Sequence, residues 1–243
     1  ELPLAVAVAE ENDPTRPLQP GESQTVSLYA GGEPAAPWSG YEARGGNFKE
    51  HVRFDSGALV ARVPKDSASG FTGIYSEGAL LWLDAFRNGG QARLTFTFDP
   101  SDTTGFLIGL SPDYNLQGND VSNPRFMLHW RRTADGGAKL TYVRDDANVA
   151  DVAIAANAPE TVTLVLREDG LRVEAPGFPA DVVAWPDVAD GQGFRIYAMT
   201  RPDQDNEAVS MTLRSITLER KAGAALVEDA GSEAVAPLPR RVI

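Results

Sequence analysis

The chain contains no cysteine, and only two histidines and three methionines. Without cysteine it forms no disulfide bridge and has no thiol nucleophile, and it suits either redox compartment. Basic side chains are also scarce, since 22 lysines and arginines face 34 acidic residues and leave a net charge of −12. A surface of this charge repels nucleic acid and anionic lipid, so neither is a predicted partner.

Long hydrophobic runs are missing as well. The apolar stretch Leu2–Ala9 is far shorter than a membrane-spanning helix and lacks the basic flank of a signal peptide, so no membrane insertion is predicted. The sequence has no glycine-rich phosphate loop, no nucleophile elbow and no histidine-rich zinc spacing, so no organic cofactor is predicted. A secreted, periplasmic or cell-surface location is inferred from composition and fold. No signal peptide is visible to support it.

The composition is otherwise ordinary for a globular protein, since 42% of the 243 residues are hydrophobic. A chain of this length buries a full core as one unit. Residues 1–22 are rich in Glu and Pro and predict an N-terminal arm. Residues 23–220 predict the folded domain, and residues 221–243 predict a flexible tail because the strand pattern ends there.

Short stretches in which apolar and polar residues alternate recur along this domain. No segment has a long row of apolar residues at helical spacing. Gly31–Gly46 contains two prolines and paired glycines and is predicted as a long loop. Many short strands separated by turns indicate a sandwich or a barrel. The predicted strands are Gln24–Tyr29, Ala58–Val63, Leu80–Asp84, Ala92–Phe98, Gly105–Leu110, Arg125–Arg132, Lys139–Val143, Thr161–Arg167, Leu171–Glu174, Phe194–Thr200 and Val209–Arg220.

Alternation separates the two faces of these strands. In RFMLHWRR one face is apolar and holds Trp130, and in FRIYAMTR the apolar face holds Ile196. If the strands share a sheet, its other face joins arginine, histidine and tyrosine side chains. Such a face is able to bind carboxylates or sulfates and to stack on sugar rings, or it is simply a solvated sheet surface. The candidate residues of this face are Arg125, His129, Arg131, Tyr142, Arg195 and Tyr197.

Loop residues supply further candidates. Trp38 and Tyr114 lie in predicted loops and are candidate sugar-binding aromatics, although a place at the edge of the core suits Trp38 slightly better. Two loops are rich in oxygen ligands of the kind that calcium prefers, although turns also favour Asp and Asn for backbone reasons. A structural Ca²⁺ is therefore one hypothesis for these loops, and its candidate ligands are Asp113, Asn115, Asp120, Asp203 and Asp205.

The succession of strands over residues 48–220, closing with VSMTLRSITLER, resembles the concanavalin A-like lectin and glucanase sandwiches. This resemblance implies an all-β, two-sheet antiparallel jelly-roll sandwich. Within that superfamily, alginate-lyase-like proteins carry a Gln-x-His strand and a closing strand with a catalytic tyrosine. Here His129 stands at the histidine position, but Met127 replaces the glutamine. Met199 replaces the tyrosine, and Tyr197 lies one strand repeat away.

Three functions follow as hypotheses. The first is an exported module that binds a polysaccharide or oligosaccharide on the face carrying arginine, histidine and tyrosine. The second, implied by the lyase resemblance, is β-elimination in an acidic polysaccharide, with His129 and Tyr197 moving protons and Arg125, Arg131 and Arg195 binding carboxylates. The third is a structural or adhesive surface domain. A glycoside hydrolase is not predicted, because no strand carries the closely spaced carboxylates that such an enzyme needs.

Overall fold

The computed structural model describes residues 12–42, 48–65, 70–86, 88–111, 126–133, 135–144, 147–154, 157–178, 182–184, 193–201 and 208–224. These residues form strands almost throughout. The strands are β1 (Ser23–Tyr29), β2 (Trp38–Glu42), β3 (Val52–Asp55), β4 (Ala58–Val63), β5 (Thr72–Ser76), β6 (Leu81–Trp82), β7 (Gln91–Phe98), β8 (Gly105–Ser111), β9 (Phe126–Arg132), β10 (Ala138–Arg144), β11 (Ala147–Ile154), β12 (Thr161–Arg167), β13 (Gly170–Glu174), β14 (Val182–Ala184), β15 (Gly193–Thr200) and β16 (Val209–Lys221). The described helical segments are one α-turn, α1 (Phe48–His51), and one 3₁₀ turn at Leu83–Phe86.

The strands form two antiparallel sheets. The first sheet has the order β14-β13-β12-β7-β16-β4-β3, with β1 added to β16. The second has the order β11-β10-β9-β8-β15-β5-β2, with β6 added to β15. This architecture confirms the predicted all-β jelly-roll sandwich.

The longest described strand, β16, organises the first sheet. Its first half, Val209–Leu213, pairs with β4. Its second half, Ile216–Lys221, pairs with β1 on one side and with β7 on the other. The first described strand of the chain is therefore held by the last.

The main core lies between the sheets and follows the alternation of the sequence. In β7, Leu94, Phe96 and Phe98 are fully buried, and the residues between them are half-buried on the outer side. Phe98 stacks on Phe106 with ring centroids 4.4 Å apart, and Phe106 stacks on Trp130 at 5.5 Å. Each buried aromatic of this kind contributes about 1.5–3 kcal/mol relative to an exposed one, so the stack is a major source of stability.

Two sequence predictions were wrong in detail. The predicted loop Gly31–Gly46 contains strand β2, which pairs with β5. Its Gly40 looks like a loop residue, but a Cβ there would lie 2.6 Å from the ring of Phe48, so close packing requires the glycine. The predicted strand Leu80–Asp84 continues only to Trp82, because β6 pairs with just two residues of β15 before the chain enters the 3₁₀ turn.

The described part of the N-terminal arm is tied to the end of β16. The amide of Gly21 donates to the carbonyl of Gly223 at 3.0 Å, and the amide of Ala222 donates to the carbonyl of Glu22 at 2.9 Å. Arg16 and Glu22 form an ion pair at 2.5 Å. Among the described residues, no helix is long and apolar enough to cross a membrane.

Candidate functional site

The second sheet carries a separate cluster of buried residues on the side that faces away from the main core. This surface is called the outer face here. Its apolar centre contains the buried residues Phe71, Leu107, Met127, Tyr197 and Met199, with Tyr41 and Tyr75 packed against them. The strands that provide the centre are β8, β9 and β15, whose core-side residues alternate with these along each strand.

Strand register fixes the layout of the outer face. His129 on β9 lies beside Thr141 on β10 and Leu107 on β8. Leu107 in turn lies beside Met199 on β15. One repeat further along β9, Arg131 pairs with Lys139, which places two cations next to the row that contains the histidine. Arg195 lies near the opposite end, beside the buried Ser111.

His129 is a buried imidazole in cationic surroundings. Only 6% of the residue is exposed. Burial lowers the pKa of His129 to about 3, and the positive charges of Arg201, Arg131 and Lys139 contribute to the same shift. The side chain is therefore neutral at ordinary pH, and a proton added to it would be opposed by three neighbouring cations.

Tyr197 is fully buried and lies across a glycine. A Cβ on Gly109 would lie 2.2 Å from the Tyr197 hydroxyl and 2.4 Å from the carbonyl oxygen of Phe126. The hydroxyl passes over Gly109 and donates to that carbonyl on β9 at 3.4 Å. The glycine in the apolar run GFLIGL thus makes room for the tyrosine ring, which bridges from β15 to β9.

The structure places His129 and Tyr197 on the same outer face but not side by side. Their strands do not pair, because β8 lies between β9 and β15. The Tyr197 hydroxyl meets β9 at Phe126, three residues from His129, which is roughly 10 Å of strand. A shared proton-transfer site built from these two side chains would need a substrate that spans this separation.

Cations and tyrosines border the apolar centre. Arg131, Lys139, Arg195 and Arg201 are half-buried, and the guanidinium of Arg201 lies 5.4 Å from the ring centroid of Phe71. On the β2–β5 side, Tyr41 and Tyr75 meet edge to face with centroids 6.2 Å apart. Burial raises the pKa of Tyr41, and its proximity to Tyr75 adds to the shift. The accessible border of the outer face therefore offers guanidinium forks, an ammonium group and aromatic edges.

Trp38 does not belong to this border. It is 4% exposed, packs in the main core near Tyr29, and donates from its indole Nε1 to the carbonyl of Leu28 at 2.6 Å. The prediction that Trp38 is a sugar-binding loop residue is therefore corrected, because the residue begins strand β2 and its ring is enclosed. The alternative place at the core edge agrees with the structure.

Several predicted site residues lie outside the described residues. Tyr142 is itself described as part of β10, but its register partner is the core residue Leu128, whereas Thr141 pairs with His129; the prediction that Tyr142 shares the face of His129 is therefore corrected. The remaining predictions in this group stay predictions; they concern Arg125, Tyr114, Asp113, Asn115, Asp120, Asp203 and Asp205. The described residues contain no group of three or more His, Cys, Asp or Glu side chains arranged to hold a metal.

Sequence reasoning missed Tyr75 and Lys139 as residues of the outer face. Both had a signal. Tyr75 follows the core residue Ile74, and Lys139 lies between the core residues Ala138 and Leu140, so alternation assigns each to the outer side. For Tyr75, alternation within β5 does not say which sheet the strand joins. Lys139 was missed because Tyr142 was placed on this face from the sequence, and alternation then puts Lys139 on the opposite side.

Comparison with known proteins gives the fold a name. No protein-family model and no curated protein sequence matches the chain. The carbohydrate recognition domain of Emp47p superposes with a TM-score of 0.50 and 13% identity, covering 82% of this chain and 95% of that domain. A Bacillus licheniformis beta-glucanase gives 0.46 at 9% identity, covering 84% and 99%. The alginate lyase AlyC3 gives 0.43 at 10% identity, covering 68% and 75%. The superposition on the Emp47p domain shows a jelly-roll fold of the concanavalin A-like type, as the sequence resemblance implied.

Proposed function

We propose that this chain binds a polysaccharide on the outer face of its second sheet, and that it acts outside the cytoplasm. The observation that carries the proposal is the assembly of cations and tyrosines around a buried apolar centre. The fold alone does not establish function, because function depends on the residues that a fold presents.

The charge distribution supports a ligand with acidic groups. Although the chain has a net charge of −12, the three charged groups that act on His129 are all cations: Arg201, Arg131 and Lys139. A carboxylate or sulfate bound beside these side chains would be attracted by all three positive charges. Guanidinium forks also match the geometry of these anions, which favours uronate or sulfated sugars over neutral ones.

The aromatic side of the face supports binding of a sugar ring. Tyr41 and Tyr75 are half-buried, so part of each ring remains accessible. Aromatic rings provide a flat apolar surface with a polar edge, which suits the mixed surface of a pyranose. A chain of sugars laid across the sheet would contact the tyrosines at one side and the cations on β9, β10 and β15.

The structure of this face supports β-elimination less well than binding. A general base works best when its pKa lies near the operating pH, and a pKa of about 3 makes His129 a poor proton acceptor. The Tyr197 hydroxyl is enclosed and donates to a backbone carbonyl, so it does not face a ligand site. We therefore expect binding without cleavage.

A binding assay with paired variants tests the proposal. Alginate, glucuronan and ulvan would be compared with a neutral β-glucan by affinity electrophoresis and calorimetry. The double variant Arg131→Ala/Arg195→Ala removes two cations from the outer face. The matched control, Arg62→Ala/Arg172→Ala, removes two exposed arginines from strands of the first sheet. We expect the first pair to weaken binding of an acidic polysaccharide at least tenfold and the control to leave it unchanged.

Ultraviolet absorbance in the same incubations distinguishes the alternatives, because elimination leaves an unsaturated sugar. An absorbance rise that is lost in both His129→Ala and Tyr197→Phe would establish the lyase and overturn the expectation of binding alone. Equal binding by the two double variants would refute this location of the site. Absence of both binding and absorbance change for every polysaccharide would support the structural or adhesive reading.

A further inference from the structure

A second candidate site lies at the edge of the sandwich, away from the outer face. A cavity of about 390 Å³ opens between the N-terminal arm, the β6–3₁₀ segment and the end of β16. Apolar residues from the first two segments form much of its wall: Pro17, Leu18 and Pro20 from the arm, and Leu81, Trp82 and Phe86 from the second. The volume and the apolar lining match those of small-molecule sites.

Two cations, Arg16 and Arg220, line this cavity, and Arg16 forms an ion pair with Glu22. Arg220 is the more unusual of the two. It follows Ile216 and Leu218 on the core-facing side of β16, so a guanidinium occupies a position where alternation calls for an apolar residue. The residue is 7% exposed, and its register partner on β7 is Ala92, a small side chain that leaves room for it.

The hydrogen-bond partners of Arg220 are neutral. Its Nε donates to Oε1 of Gln24 at 3.0 Å, and its Nη2 donates to the same oxygen and, at 3.1 Å, to the carbonyl of Arg16. Its Nη1 has no acceptor among the described residues. Buried charges are normally paired with an opposite charge, and here no described carboxylate forms an ion pair with Arg220.

The nearby acids are already engaged elsewhere. Glu22 is bound to Arg16 at 2.5 Å, and Asp13 accepts hydrogen bonds from Thr15. Burial and the neighbouring positive charge of Arg16 lower the pKa of Arg220, and the negative charges of Asp13 and Glu22 oppose this shift without reversing it. The cavity thus combines apolar walls with a cation that has a free donor.

We propose that this cavity binds a small organic carboxylate, with the carboxylate on Nη1 of Arg220 and an apolar, flat body between Trp82 and the prolines of the arm. The carboxylate would give Arg220 the direct ion pair that no described residue forms with it. Since residues 15–20 form one wall, the same ligand would also fasten the arm to the sandwich.

The probe is 2-naphthoate, with 2-naphthalenemethanol as its uncharged counterpart and acetate as a carboxylate without an apolar body. Binding would be followed by calorimetry and by the ¹H–¹⁵N signal of the Trp82 indole. We expect saturable binding of 2-naphthoate, with affinity at least tenfold higher than for either control compound. Binding of the alcohol with equal affinity would overturn the assignment of Arg220, and absence of saturable binding of 2-naphthoate to the folded protein would overturn the site.

Two variants separate binding from stability. Arg220→Gln removes the charge, and Leu18→Trp fills the cavity from the arm without changing either sheet. Each is expected to weaken 2-naphthoate binding at least tenfold, whereas Arg172→Gln on β13 leaves it unchanged. Should Arg220→Gln fail to fold, Leu18→Trp still decides the question, because full binding by that variant contradicts a site in this cavity.

Discussion

The buried, neutral state of His129 makes the stability of this protein depend on pH in a defined direction. In the folded chain the pKa of His129 is lowered to about 3, whereas the ordinary value for histidine is 6.5. Between these values the unfolded chain binds a proton that the folded chain does not. Stability is therefore complete above the ordinary pKa and is lost progressively as the pH falls toward 3.

The size of the effect follows from the two pKa values. One proton bound only by the unfolded chain changes the free energy of unfolding by about 1.4 kcal/mol per pH unit. Between pH 6 and pH 4 the loss is roughly 2–3 kcal/mol, a large part of the 5–15 kcal/mol typical of a folded domain. Replacing His129 with glutamine, which keeps a polar side chain of similar size but does not titrate, should remove this component.

Urea unfolding of the wild type and His129→Gln at half-unit steps from pH 4 to pH 7 measures the difference. The carboxyl groups of Asp13, Asp99 and Asp135, whose pKa values are lowered by hydrogen bonds, lose their contribution at still lower pH, and they do so in both proteins. Their effect cancels when the two curves are subtracted. A difference curve that stays flat between pH 4 and pH 6 would show that His129 is not held neutral, and the reasoning about the cationic surroundings would fail.

Two further predictions concern packing and metal. Gly109→Ala should lower the free energy of unfolding by about 1–3 kcal/mol, because its methyl group would meet the Tyr197 hydroxyl and the Phe126 carbonyl. Gly78→Ala, where the added carbon meets nothing within 4 Å, is the control, and equal melting temperatures for the two variants would contradict the packing argument. If loop 113–120 or loop 203–207 binds calcium, millimolar Ca²⁺ added after chelation should raise the melting temperature, and an unchanged melting curve would remove that hypothesis.

Alternation carried most of the sequence prediction of the fold. The pattern of β7, TVTLVLR in β12 and the long run of β16 placed their strands within one or two residues of the observed bounds. The pattern failed at β2, where Gly40 and the preceding prolines have the composition of a loop. The reason for that glycine is the ring of Phe48, a contact that residue spacing within β2 does not reveal.

The sequence predicted on which side of the sheet the candidate site residues lie, but not how they are arranged relative to one another. Alternation assigned His129, Arg131, Arg195 and Tyr197 to the side opposite the core residues, and the structure has them there. It gave no information on strand order, so it did not show that β8 separates β9 from β15. Strand order depends on pairing between distant segments, whereas alternation is a property of each segment alone.

The position of β16 near the end of the described chain has a consequence for folding during synthesis. A ribosome produces β1, β4 and β7 long before their shared partner exists, and each leaves an unpaired edge until residues 209–221 emerge. Pairing between strands so far apart in the sequence is slow, and exposed strand edges can pair with other chains. The first sheet therefore cannot be completed before residues 209–221 have been synthesised, and until then the nascent chain exposes strand edges that favour aggregation.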